Sequence, residues 1–178
     1  GFRKVSIEER EKNLGLAGNI IQGVSSVVNA FGKVIVLEDD ILTSTGFLTY
    51  MNQALDLYRE EDRVMHISAY FPDVKRRLPE TFFFNQTSCW GWGTWKRAWQ
   101  SFEPDAALLK RKIKDANSMK EFDMDGSYAF SEHLDANISG TMHTWAVKWH
   151  ASVFLEHGLC LHPGKSLVQN IGFDNSGE

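Results

Sequence analysis

Apolar residues at positions 14, 17, 20, 21, 24, 27, 28 and 31 recur every three or four residues, the spacing of one helical face, and predict a helix over 14–31. Gly32 stands where that helix ends. Val34-Ile35-Val36-Leu37 follows as an unbroken, mostly β-branched run, as expected of a central parallel strand covered on both faces. A second helix is predicted to start near 43–45, where Thr43 and Thr45 can cap it, and to carry Phe47, Leu48, Met51, Leu55 and Tyr58 inward. The charged turn 59–63 then leads into a strand over 64–68, so strand, helix and strand succeed one another within about 35 residues, the length of a βαβ crossover. Beyond a Pro-flanked loop at 72–79 the pattern predicts a strand at 81–84, a broken and polar helical stretch over 105–137 and a stronger helix at 145–157. Short strands at 159–161 and 166–168 flank the turn Pro163-Gly164. With no repeat and no low-complexity linker, the expectation is one α/β domain over 1–178, with a mixed, mostly parallel sheet flanked by helices.

Composition narrows the function. Of 178 residues, 43% are hydrophobic and 12% aromatic, enough to enclose a core and too many for a disordered segment or a small disulfide scaffold. Nineteen Lys and Arg stand against 23 Asp and Glu, a net charge of −4, with no basic stripe to neutralise a phosphate backbone; nucleic acid is not an expected partner. Cys89 and Cys160 are too few for a disulfide framework or a four-cysteine zinc site and point to a reduced, cytoplasmic setting. No apolar run approaches the roughly 20 residues of a membrane span, and the first residues are too charged for a signal peptide. Any membrane association is therefore expected at the inner surface, without a membrane segment in this chain. A nucleophile elbow, a Walker loop and a dinucleotide glycine fingerprint are all missing, which removes support for acyl transfer, nucleoside-triphosphate hydrolysis and hydride transfer.

The sharpest chemical signal is Glu38-Asp39-Asp40 at the carboxyl end of a buried strand, where α/β sheets bind ligands. Alternation along a strand sends Glu38 and Asp40 one way and Asp39 the other. Adjacent carboxylates repel unless neutralised, and a hard divalent cation shared with substrate phosphates would do so. A solvated acidic turn capping the next helix fits the same residues equally well. Tryptophan is concentrated in two windows, at 90, 92, 95 and 99 and at 145 and 149. Trp95 and Trp99, one helical turn apart, read as core, whereas Trp90 and Trp92 alternate with Gly91 and Gly93, which allow close approach of a backbone or a sugar ring. A purely packing aromatic cluster has similar weight. Of the six histidines none makes a zinc-type spacing; His66, His133, His150 and His157 read as satisfied or surface residues.

Four motifs in order carry a family resemblance. Arg10-x-x-Asn13-Leu14-Gly15-Leu16 comes first, then the strand and triplet 34–40, then Cys89-Trp90-Gly91-Trp92-Gly93-Thr94-Trp95, and last Ser166 to Asp174 with Gln169, Asn170 and Gly172. Together they resemble bacterial GT-A-fold glycosyltransferases of surface-polysaccharide synthesis, and the triplet is similar to that of the Golgi N-acetylglucosaminyltransferase I family. The resemblance runs over nearly the whole chain. It implies a partial GT-A-like fold, a nucleotide-sugar donor, a manganese or magnesium ion on the donor's diphosphate, and transfer to a saccharide acceptor with inversion. By the same resemblance Asp40 would ligate the metal, and Glu38 and Asp39 would face the donor. Arg10 and Asn13 would border the nucleotide, and Trp90, Gly91, Trp92 and Trp145 would shape the sugar or acceptor pocket. The family's general base is an aspartate just before a tryptophan; here His143 and Thr144 precede Trp145. His143 is then the expected base, with Asp174, Glu132 and Asp135 as alternatives. The family's first nucleotide-binding strands have no counterpart here, which implies a domain truncated at its N-terminus that folds and binds donor poorly. A non-catalytic saccharide-binding or scaffold module is the alternative. A magnesium-dependent phosphohydrolase matches less well, because the acid two residues before Asp40 is Glu38.

Overall fold

The computed structural model describes residues 3–172. Helix α1 (Gly15–Phe31) forms as its spacing predicts and ends at Gly32, whose left-handed φ of 79° lets its amide return to the Val28 carbonyl. Strand β1 (Lys33–Val36) leads to the acidic turn, followed by a three-residue strand β2 (Ile41–Thr43), helix α2 (Phe47–Leu57) and strand β3 (Val64–Ser68). Thr43 therefore lies in a strand. Helix α2 starts without a side-chain cap, the Phe47 amide turning back to the Ser44 carbonyl instead. Strands β4 (Thr81–Phe84) and β5 (Trp92–Trp95) precede the short helix α3 (Lys96–Trp99). The polar stretch divides into α4 (Ala106–Asp115), capped by the Asp105 carboxylate, then α5 (Met119–Phe122), a 3-10 turn and α6 (Phe130–Ser139). Helix α7 (Ala146–Leu155) and strands β6 (Leu159–Pro163) and β7 (Val168–Asn170) complete the fold.

The main sheet has the order β1-β5-β3-β6-β4, and only β3 and β6 pair in parallel. The fold is α/β and mixed, but the sheet is mostly antiparallel where a mostly parallel one was expected. The reason is β5. The crossover through α2 does return the chain parallel to β1, yet β5 inserts between β1 and β3 and runs against both. Gly93 permits that insertion: a Cβ there would stand 2.9 Å from the Val34 carbonyl oxygen and 3.1 Å from Met51 Cε, so only a bare backbone fits between the neighbouring strand and α2. A separate ribbon pairs β2 with β7, in the register Ile41 opposite Asn170.

Helices cover both faces. One face carries Val24 and Val28 of α1 and the indoles of Trp92, Trp99, Trp145 and Trp149; the other packs Phe47, Met51 and Leu55 of α2 on Ile67 and Trp95. A third cluster joins α4, α5, α6 and α7 through Leu109, Ile113, Phe122, Leu134 and Ala151. The Arg97 guanidinium lies 4.4 Å over the Trp95 ring and donates to the Tyr58, Arg59 and Val64 carbonyls, tying the charged turn to the sheet. No helix among the described residues is long and apolar enough to cross a membrane.

Trp92 is the hub of the first cluster. It is fully buried, stacks on Trp145 at 5.0 Å and on His66 at 5.4 Å, and its indole N–H meets no acceptor among the described residues. Trp92→Ala is expected to lower stability by about 4 kcal/mol through lost contact and the cavity left behind. Trp92→Phe should cost much less, since it also removes the unsatisfied donor. Denaturant unfolding of the two variants checks this ordering.

Candidate functional site

The carboxyl ends of β1, β3 and β6 lie at one end of the sheet, and two features meet there: the acidic turn and an open cleft. The turn closes through the Ile41 amide on the Glu38 carbonyl at 3.2 Å. Burial follows the predicted alternation, with Glu38 and Asp40 half-buried and Asp39 exposed. Partial burial raises the Glu38 carboxyl above its ordinary value, and the charges of Asp40 and Asp39 raise it further.

Asp40 is held on one side only. Its Oδ2 accepts from Asn170 Nδ2 at 3.0 Å, and its backbone carbonyl accepts from the Ile171 amide at 2.9 Å. Asn170 is itself oriented by the Gly172 amide, which donates to its Oδ1 at 2.8 Å. Gly172 is required in that place, because a Cβ on it would overlap Asp40 Oδ2. The other carboxylate oxygen, Oδ1, is buried and has no donor among the described residues. A buried acceptor of this kind is costly unless a donor or a cation completes it. No group of three or more His, Cys, Asp and Glu side chains among the described residues is arranged to hold a metal ion. A cation at Asp40 would therefore draw most of its shell from substrate oxygens and water, as magnesium commonly does.

Beside the turn opens a cleft of about 490 Å³. Its walls come from the segment after β3 (Tyr70, Phe71), the loop before β5 (86–90), the start of α6 and the start of α7. Cys89 joins the two features: burial first, then the charge of Glu38, pushes its thiol up to about 11, so the acids act directly on the cleft wall. Trp90 stands edge-on to Tyr70 at 4.5 Å, and Trp145 borders the cleft with 2% of its surface exposed. Gly91 and Trp92, expected beside a sugar, are not in the wall. Trp92 is core, and Gly91, at φ 66°, is closed in by Val168 and Phe47 side chains that a Cβ would meet at 3.0 and 3.2 Å.

Three buried histidines back the loop 86–88. His66 of β3 meets the Ser88 amide at 3.3 Å and the Trp149 indole N–H at 3.1 Å; His150 of α7 accepts from the Thr87 amide at 3.5 Å. The His162 ring nitrogens lie 3.1 Å from the Tyr70 carbonyl and 2.8 Å from that of Gln86. Burial lowers all three imidazoles, His150 to about 4. Of the histidines expected to be satisfied or at the surface, His66 and His150 are buried with hydrogen-bond partners, His157 is exposed, and half-buried His133 borders the cleft.

The remaining expected residues lie apart. His143 is exposed and outside the cleft wall, Glu132 is exposed, and exposed Asp135 pairs with Lys110. Asp174 lies outside the described residues. Arg10 is engaged by Glu8 and Asn19, and Asn13 by the Gly15 amide; neither bonds to the acidic turn. Asn170, inside a quoted motif but without an assigned role, and His133 are the residues that single-position reasoning missed. The spacing of 130 residues between Asn170 and Asp40 left no local signal for the first. Comparison of the chain with protein-family models and with curated proteins finds no match.

Proposed function

We propose that this chain is the catalytic domain of a metal-dependent glycosyltransferase, moving a sugar from a nucleotide-diphosphate donor to a hydroxyl of a saccharide acceptor. The observation that carries the proposal is Asp40: a carboxylate at the carboxyl end of a sheet strand, oriented by Asn170, with one buried oxygen lacking a donor. Manganese or magnesium fits that oxygen, with Glu38 beside it. Bound there, the ion would supply Lewis-acid neutralisation of charge on the departing diphosphate. The chain's own residues do the rest. Asn170 and Gly172 fix the carboxylate, Glu38 and Asp39 add negative potential that favours a cation, and the aromatic cleft beside the acids receives the acceptor. On the cleft itself His133 is the half-exposed imidazole placed to take a proton from an acceptor hydroxyl.

A second reading, a saccharide-binding module without turnover, is favoured by one observation: no carboxylate lines the cleft. Calorimetric titration with manganese, then with uridine and guanosine diphosphate sugars, separates the two. Metal-dependent binding of one donor supports transfer; saccharide binding with no response to metal or donor overturns it in favour of the module. Asn170→Ala is expected to weaken manganese binding about tenfold or more, as loss of a ligand-orienting partner does.

A further inference from the structure

The cleft wall contains no Asp, Glu, Lys or Arg. The ionisable groups in it are two of the buried histidines, His150 and His162, which burial keeps neutral, Cys89, whose thiol is held protonated, the Tyr70 and Tyr128 phenols, and half-buried His133, the one imidazole of the wall open to solvent. An anionic ligand would thus lose hydration there and meet no permanent counter-charge, His133 being the only imidazole in the wall that solvent reaches. The acidic turn at the rim adds repulsion, since Glu38 and Asp40 already act on Cys89. A cationic ligand would find aromatic faces but no anion in the wall. What the wall does offer is apolar ring surface from Tyr70, Phe71 and Trp90, with the edge of buried Trp145 behind them, together with the neutral side chains of Gln86, Thr87 and Thr144. That mixture matches a pyranose, with one C–H face and hydroxyls around its edge, and the volume suits a small ligand instead of a long polymer.

We infer that this cleft selects an uncharged saccharide and rejects uronic acids, phosphorylated sugars and the anionic donor itself. The inference rests on the proposed function for the saccharide class alone; the exclusion of charge comes from the wall. It also divides the site, with the diphosphate at Asp40 and the neutral ring in the cleft.

The test uses the intact chain labelled with ¹⁵N at tryptophan and follows the indole signals of Trp90 and Trp145, assigned with Trp90→Phe. Maltose and the N-acetylglucosamine dimer serve as neutral probes, digalacturonate as the anion and the glucosamine dimer as the cation. At least one neutral disaccharide is expected to shift both indoles and to bind about tenfold or more tightly than either charged dimer. Met142→Lys, at an exposed position on the rim, is expected to narrow the gap for digalacturonate specifically. Equal binding of a charged dimer, or no shift with either neutral one, overturns the inference. Manganese added to the same samples tests Asp40 separately. Disaccharide binding without any metal response sinks the transferase reading and leaves the neutral cleft standing, and the reverse outcome sinks the cleft.

Discussion

Asp40→Asn is expected to stabilise the metal-free protein by about 1 kcal/mol, a rise of roughly 2–4 °C in Tm, while abolishing its response to manganese. In the unliganded fold the Asp40 carboxylate has one oxygen satisfied by Asn170 and one buried without a donor, beside the like charges of Glu38 and Asp39. Removing the charge relieves the repulsion and the desolvation of an ion, and an asparagine oxygen can still accept from Asn170; its amide nitrogen takes the place of Oδ1 as a neutral group, which costs less to bury than a charged one. Sites that hold charge for a ligand commonly carry such a cost. The variant should also let the Glu38 carboxyl fall back toward its ordinary value, because Asp40 is the larger of the two charges raising it. Thermal unfolding with and without manganese, and an NMR titration of Glu38, check the three effects. A variant less stable than the parent, still stabilised by manganese, would show that the oxygen serves the fold and no ion.

The second large effect is on acid stability. Burial lowers His66, His150 and His162, the second of them to about 4 against an ordinary value of 6.5. Between those values the unfolded chain binds more protons than the folded one. Stability therefore rises with pH across that window, reaches its plateau above about 6.5 and is lost as the pH falls toward 4. His150 alone accounts for about 3 kcal/mol. Glu38 works in the opposite sense, since a raised carboxyl favours the fold when protonated. Guanidinium unfolding between pH 4 and 7 should show this loss, and His150→Phe, which keeps a ring against Phe122 and Phe130, should flatten the slope by about one proton. A pH-independent midpoint over this range would contradict the burial of all three.

Periodicity located most elements. The strands over 64–68 and 81–84 and the helix over 14–31 stand where the pattern puts them, because each buries a face whose spacing is visible locally. Strand β5 was hidden. Gly91 and Gly93 read as points where a backbone or a sugar ring comes close, with no strand assigned, and the glycine that weakens the segment on propensity is the one that lets it enter between β1 and β3. The expectation of a mostly parallel sheet failed with it. Strand β2, three residues long, has no pattern of its own and forms only by pairing with β7, which starts at Val168, the last residue of the strand expected at 166–168. In the site, the acids were legible as a run at a strand end. The cleft was not: its walls come from five segments spread along the chain, and what distinguishes it, the absence of Asp, Glu, Lys and Arg, appears only once they converge.

The strand order bears on how the polypeptide is made. Central β3 is flanked by β5 and β6, and β6 ends at Pro163, so the middle of the sheet cannot close until nearly all of these residues have left the ribosome. Until then Val64–Ser68, buried at every position in the finished protein, offers an unprotected edge to other nascent chains. Truncations ending before β6 should thus accumulate as insoluble material, while chains that include β6 should stay in solution.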